Sequence, residues 1–393
     1  MRNTDSYFGR NFVALDGLRG LAILSVMVTH FDAARFGLPL VDRAMMMAKS
    51  LGWVGVDLFF VLSGFLITGI LLDTLGCANY WRSFYGRRAL RIFPLYYTFL
   101  LFAWLVFPST VVPEWTPLRG DWWMYPIYLT NWLPLWKGHW PNILGHFWSL
   151  SVEEQFYLVW PFLILLAKPR RLLWMLASAE VLVLFGRSWW VFHYGYSDTI
   201  LLATITRMDG LLFGAACAAA VRQFRFPRSA EALLPMAGAV FLGAFLGIRL
   251  LQIQTLHMEV FAGNLWMALG STLLGAGFAA ILLTAVLTDQ KKMWLQTILR
   301  RRLLTQFGKY AYGIYVFHVP LLYFIDRVAT RFAPTTQQAV WFIDVKIVVA
   351  FSLSYGIASL SYNFFEKRFL ALKDRFRPVY LAREPHAPVA AAS

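Results

Sequence analysis

The stretch LDGLRGLAILSVMVTH, Leu15 to His30, sets a guanidinium and an imidazole into one apolar helix. His30 follows Arg19 by eleven positions. At about 100° per residue, that spacing returns to within roughly 20° of three whole turns, so both side chains leave one face about 16 Å apart. Asp16 stands one turn before Arg19 on the same stripe. A bland reading makes Asp16 and Arg19 an end-of-helix pair and His30 an interfacial residue. Ionisable groups inside a membrane span are costly and face the bundle interior, which favours a functional reading with His30 as the leading candidate.

Working outward, composition sets the class. The chain of 393 residues is 59% hydrophobic and only 15% charged, with a formal net charge of +15. These values predict an all-α integral membrane protein of about ten transmembrane helices. The apolar runs lie near 12–33, 53–75, 92–107, 147–167, 172–192, 199–221, 233–251, 264–287, 310–327 and 341–362. Aromatic-rich 122–136 could be an eleventh or re-entrant segment, although Pro126, Pro134 and Pro141 argue against a regular span. The basic residues form short clusters between apolar runs, so the charge reads as membrane orientation and no nucleic-acid partner is expected. Lys and Arg concentrate after even-numbered spans, which predicts cytoplasmic termini. Cys77 and Cys217 offer no disulfide framework or metal spacing, and no metal is expected. Residues 1–11 read as a cytoplasmic segment without a cleavable leader, 12–369 as one transmembrane domain, and 370–393 as a partly disordered cytoplasmic tail.

This topology sorts the polar residues by side. His30, Asp57, His146, Glu153 and Glu154 fall toward the outer face, whereas Arg87, Arg88 and Arg91 in FYGRRALRIFPLYY fall inside. Asp57 is either an anion favoured by its helix N-terminus or a partner that orients the His30 ring. Ser151 and Glu154 fit a capping box, while Glu153 is either functional or paired with an arginine such as Arg207. Arg207 and Asp209 read as a buried ion pair. Arg87, Arg88 and Arg91 are either cytoplasmic anchors or phosphate ligands, since Arg87 and Arg91 share a helix face. Ser63 in VLSGF lacks a nucleophile motif, and Ser-Gly in a span reads as a packing device. His318 reads as structural or pocket-lining. Tryptophans 115, 122, 123, 132, 136 and 140 form either an interfacial belt or a sugar platform.

Taken together, LDGLRG followed by His30, GVDLFFVLSGFLIT, FYGRRALRIFPLYY, FWSLSVEEQFYLVWP, TRMDGLLFG and YGIYVFHVPL resemble, in order, the blocks of the acyltransferase-3 family of membrane acyltransferases. Its members O-acetylate bacterial surface polysaccharides, lipopolysaccharide O-antigen and peptidoglycan, or small molecules such as macrolides. The resemblance implies transfer of an acyl group, usually acetyl, from cytoplasmic acyl-CoA to a hydroxyl at the outer face. A cell-surface carbohydrate such as an exopolysaccharide or O-antigen is the expected acceptor, and the bacterial inner membrane the expected location. His30 would be the essential histidine and general base, Arg19 its partner, and Arg88 with Arg91 the inner-loop arginines. Asp57 and Glu153 fall in matching blocks. Arg19, Arg87, Arg88 and Arg91 are the expected acetyl-CoA ligands, and His146, Trp148 and His318 are candidate acceptor contacts. FEKRF, Phe365 to Phe369, departs from the family's Glu-Lys-Pro-Phe, and no appended SGNH-type esterase domain is expected. A transporter of a lipid-linked saccharide is the main alternative, and an accessory subunit of a polysaccharide assembly complex a third.

Overall fold

The computed structural model describes residues 12–31, 38–107, 120–138, 143–167, 169–195, 197–254, 259–332 and 339–380. Long helices follow one another: α1 (Val13–His30), α2 (Pro39–Leu51), α3 (Val54–Asp73), α4 (Tyr80–Val106) and α5 (Phe147–Leu166). They continue as α6 (Pro169–Tyr194), α7 (Asp209–Gln223), α8 (Ala230–Gln254), α9 (Glu259–Leu287), α10 (Arg302–Phe332) and α11 (Ala339–Ser361). No strand occurs among the described residues; a single antiparallel bridge joins Cys77 to Tyr380. Residues 1–11 and those beyond 380 lie outside the described chain, as do Trp115 and Trp140.

Eight of the described helices are long and apolar enough to cross a membrane, and the protein is an all-α multi-pass membrane protein. Two of the ten expected spans differ from this set. Expected span 199–221 divides into short 3-10 turns at Asp198–Leu202 and Thr204–Thr206 and the 15-residue α7. Helix α10 has 31 residues but carries Gln306, Lys309, Tyr310, Tyr312, Tyr315 and His318 along its first half. The third span is longer than its apolar run, because α4 starts at Tyr80 and takes Arg82 through Arg91 into the helix. Segment 122–136 forms only short turns and the brief helix Leu133–Lys137. At FEKRF the chain does not stop: it passes through a π-turn, Tyr362–Glu366, into the helical turn Lys367–Ala371.

Burial orders the bundle. Within its most apolar window, α3 is 67% buried in the protein, whereas the α8 window is 11% buried, so α3 is central and α8 faces lipid. Small residues let the central helices meet backbone to backbone. A methyl at Gly20 would strike the Leu304 carbonyl and one at Gly308 the Asp16 carbonyl, which seats α10 directly on α1. Gly64 and Gly214 do the same for α3 and α7, against Leu211 and Val61.

The buried charges depart from the pairing expected of them. Arg207 and Asp209 do not bond each other. Arg187 of α6 takes Asp209 with two hydrogen bonds of 2.6 and 2.9 Å, and also donates to the carbonyls of Ala268 and Thr206 at 2.9 Å each. Arg207 instead donates to Asp57 at 2.9 Å and to Ser271. The reason is local: Arg207 precedes α7 and Asp209 opens it, and residues two apart at a helix start diverge. The sequence carried no periodic signal for Arg187, which is fully buried.

Candidate active site

Helices α1, α3, α4, α5 and α10 line a cavity that opens to the outside of the protein. Three guanidiniums reach it: Arg19 from α1, and Arg88 and Arg91 from α4, one turn apart. Arg19 donates to Asp16 at 2.6 Å, the pair expected from spacing. Among the described residues Arg88 and Arg91 make no ion pair; Arg88 lies over the Tyr157 ring at 5.3 Å. Arg87 is half-buried and is not among the lining residues. The wall therefore carries net positive charge in a low-dielectric setting, which favours an anion.

Beside the arginines lies a knot of three polar side chains. Ser63 of α3 donates to Glu153 at 2.7 Å and accepts from Tyr157 at 3.0 Å, while Tyr157 also donates to Glu153 at 3.3 Å. Gly64 is the packing residue of the Ser-Gly pair, and Ser63 points into the cavity. One step on a helix turns a side chain by about 100°, which is how neighbours divide the two tasks. Glu153 thus bonds Ser63 and Tyr157, and no ion pair with Arg207 forms.

Three imidazoles gather near the other end of α1. His30 and His318 meet edge to face with centroids 4.9 Å apart, and His146 lies 5.2 Å from His318. His30 Nδ1 is 2.9 Å from the Val26 carbonyl, an acceptor only, so this nitrogen carries the proton and Nε2 keeps its lone pair. His318 Nδ1 donates in the same way to the Tyr315 carbonyl at 2.8 Å. His318 Nε2 and both ring nitrogens of His146 are buried without a hydrogen-bond partner. Tyr315 joins the cavity to this cluster: it lines the former, its hydroxyl donates to the His146 carbonyl at 2.5 Å, and it bonds Ser149 at 3.1 Å. Among the described residues no group of three or more His, Cys, Asp or Glu could hold a metal ion.

Several expectations are corrected here. Asp57 does not orient His30, because Arg207 claims its carboxylate and the helix's own carbonyl holds the His30 ring. Helix α5 starts at Phe147, with His146 at its cap position, so Ser151 and Glu154 form no capping box. Ser151 bonds the Thr130 hydroxyl at 2.8 Å, and Glu154 Oε1 is buried without a partner. Trp148 lies over the Arg207 guanidinium at 5.8 Å and against Phe60, outside the cavity lining. Trp123 and Trp136 project outward, as a belt would require. Sequence reading overlooked Tyr157 and Tyr315, whose only signal was position: Tyr157 is one turn after Glu153, and Tyr315 one turn before His318.

Comparison with known proteins identifies the family. The model of the family described as "Acyltransferase domain", Acyl_transf_3, matches residues 12–359. The chain is 28% identical over 388 residues to the peptidoglycan O-acetyltransferase OatA of Listeria monocytogenes, covering 93% of this chain and 57% of that protein. It is 26% identical over 379 residues to the O-acetyltransferase OatA of Staphylococcus aureus, covering 92% of this chain and 57% of the relative. The chain thus spans little more than half the length of these relatives, and no solved structure matches it. With the six sequence blocks lying on one set of packed helices and the family model covering nearly all of them, the chain belongs to the Acyl_transf_3 family of acyltransferases.

Proposed function

We propose that the protein is an O-acyltransferase of the bacterial cytoplasmic membrane, with both termini in the cytoplasm, that carries an acetyl group from acetyl-CoA to a hydroxyl of a cell-surface carbohydrate. The observation that carries this reading is the cavity of α1, α3, α4, α5 and α10, with Arg19, Arg88 and Arg91 in its wall and Tyr315 leading on to His30. The arginines hold phosphate oxygens of the donor, and Arg19 ends about 16 Å from His30 along α1, a span suited to an extended pantetheine arm. The Ser63, Glu153 and Tyr157 knot borders this route and offers hydrogen bonds to the arm's amides.

His30 Nε2, with its lone pair free, removes the proton of the acceptor hydroxyl as that oxygen attacks the thioester carbonyl. The CoA thiolate leaves, and the His30 proton returns to it. The unpartnered nitrogens of His146 and His318 favour hydroxyl groups nearby, since buried polar atoms without partners cost about 1–3 kcal/mol each. The relatives named for peptidoglycan support a cell-wall glycan as acceptor, beside an exopolysaccharide or O-antigen. Family membership favours group transfer over saccharide transport and over a non-catalytic accessory role.

The test uses purified protein in lipid nanodiscs with radiolabelled acetyl-CoA and soluble cell-wall or capsular oligosaccharides. Label is expected to appear on the oligosaccharide with stoichiometric release of CoA. Absence of acetyl-CoA binding and of CoA release with every acceptor would sink the reading.

A further inference from the structure

The family match stops at residue 359, yet the chain beyond it returns to the candidate site. After α11 it runs through the 3-10 turn Leu372–Phe376 and lies along the first half of α4. Ser83 Oγ donates to the Phe376 carbonyl at 2.9 Å, and Asn79 Nδ2 to the Arg377 carbonyl at 2.8 Å. In return the Val379 amide donates to Asn79 Oδ1 at 2.8 Å, and Tyr380 bonds the Asp73 carbonyl at 3.1 Å. The Phe376 ring fills the space left by Gly86, under the Arg82 guanidinium at 5.6 Å. Six anchors over five residues make this segment a fitted strap.

The strap adds a cation where cations already crowd. Lys373 is half-buried and interacts electrostatically with Arg91, Arg88, Arg87 and Arg19. Among the described residues it makes no ion pair. Its neighbour Asp374 is bonded to Arg377 at 3.0 Å and so does not serve it. Arg19 has Asp16 at 2.6 Å, but Arg88, Arg91 and Lys373 make no ion pair among the described residues, and gathering cations in this way costs free energy, which an anionic ligand returns. Position names the part of that ligand. The strap binds Asp73, the last residue of α3, whereas Gly52, just before α3 starts, packs on Thr29 beside His30. Lys373 therefore enters from the end of the bundle opposite the histidines.

We infer that the strap is part of the donor site and that Lys373 binds the phosphate farthest from the acyl group, the ribose 3′-phosphate of CoA. This rests on acyl-CoA as donor and adds a specificity element supplied from outside the family domain. The acyl end points to His30, so the nucleotide end trails toward the strap.

Steady-state kinetics of the full chain in nanodiscs, with acetyl-CoA and with acetyl-dephospho-CoA, test it. The wild type is expected to favour acetyl-CoA through KM. Lys373→Ala should raise KM for acetyl-CoA about tenfold, the loss of one charge-assisted contact, while leaving KM for the dephospho donor and both kcat values unchanged. Lys373→Arg should restore the preference, Phe376→Ala should reproduce the loss, and exposed Arg375→Ala should change nothing. Equal use of the two donors by the wild type, or an equal effect of Lys373→Ala on both, overturns the assignment while leaving the donor reading intact. A wild type that neither binds nor cleaves acetyl-CoA overturns the donor reading and this proposal with it.

Discussion

On one side of the bundle Arg187 and Arg207 are dry and charge-paired: each is locked to an aspartate, Asp209 and Asp57, and bonded further to threonine, serine or backbone oxygen, with only Arg207 Nε left without a partner. On the other side Arg88 and Arg91 share a cavity wall, and toward the far end of α1 the imidazoles of His146 and His318 keep nitrogens without partners. Both groups are intramembrane charge or polarity, and both are expensive. The first is compensated within the chain, so its role ends with holding α3, α6, α7 and α9 together. The second is left for something that is not the chain. Completeness of pairing, more than depth of burial, separates scaffold from site here.

Breaking that contrast should give effects of different kinds as well as sizes. The largest is expected at His30. His30→Ala should lower kcat by about 10² to 10⁴-fold, the usual worth of a positioned base, with the melting temperature and donor affinity kept. A stopped assay with radiolabelled acetyl-CoA measures it, and near wild-type turnover would remove the base assignment.

Arg187→Met is the counterpart on the paired side. It strands Asp209 as a buried, uncompensated charge and should destabilise the fold by about 3–5 kcal/mol. Thermal unfolding by size-exclusion in detergent reports this loss, and a double Arg187→Met, Asp209→Leu variant should recover much of it. A stable single variant would mean that the pair is not structural.

Arg88→Ala should do the reverse: little change in unfolding temperature, because no carboxylate loses its ion pair, and a rise of about tenfold in KM for acetyl-CoA. Loss of folded protein without a change in donor affinity would place Arg88 with the scaffold. Smallest of all, Ser151→Ala removes one buried hydroxyl contact with Thr130 and should cost about 1 kcal/mol of stability while leaving kcat alone. A kcat defect there would extend the site to the loop before α5.

Much of this was legible along the chain. Apolar runs require helices in a bilayer because backbone groups must be satisfied within the segment, so the all-α class follows from composition. The shared face of Arg19 and His30 follows from helix geometry, and both do face the interior, one at the cavity and one in the imidazole cluster. Ordered blocks likewise carried the family. What spacing could not supply was partner choice across helices. Arg187 meets Asp209 across 22 positions and Arg207 meets Asp57 across 150, so neighbours in sequence misled.

The sequence by itself determined most of the long apolar helices, which face of α1 is charged and which chemistry those residue types favour, because each of these depends on periodicity within one segment. Only the tertiary structure decided that Ser63 opens into a cavity, that three histidines from distant segments touch, and that the strap brings Lys373 to the arginines. The physical reason is that side-chain pairing in a bundle is set by which helices can approach closely, and that depends on opposed surfaces such as Gly20 on Leu304 and Gly64 on Leu211, which no single segment encodes.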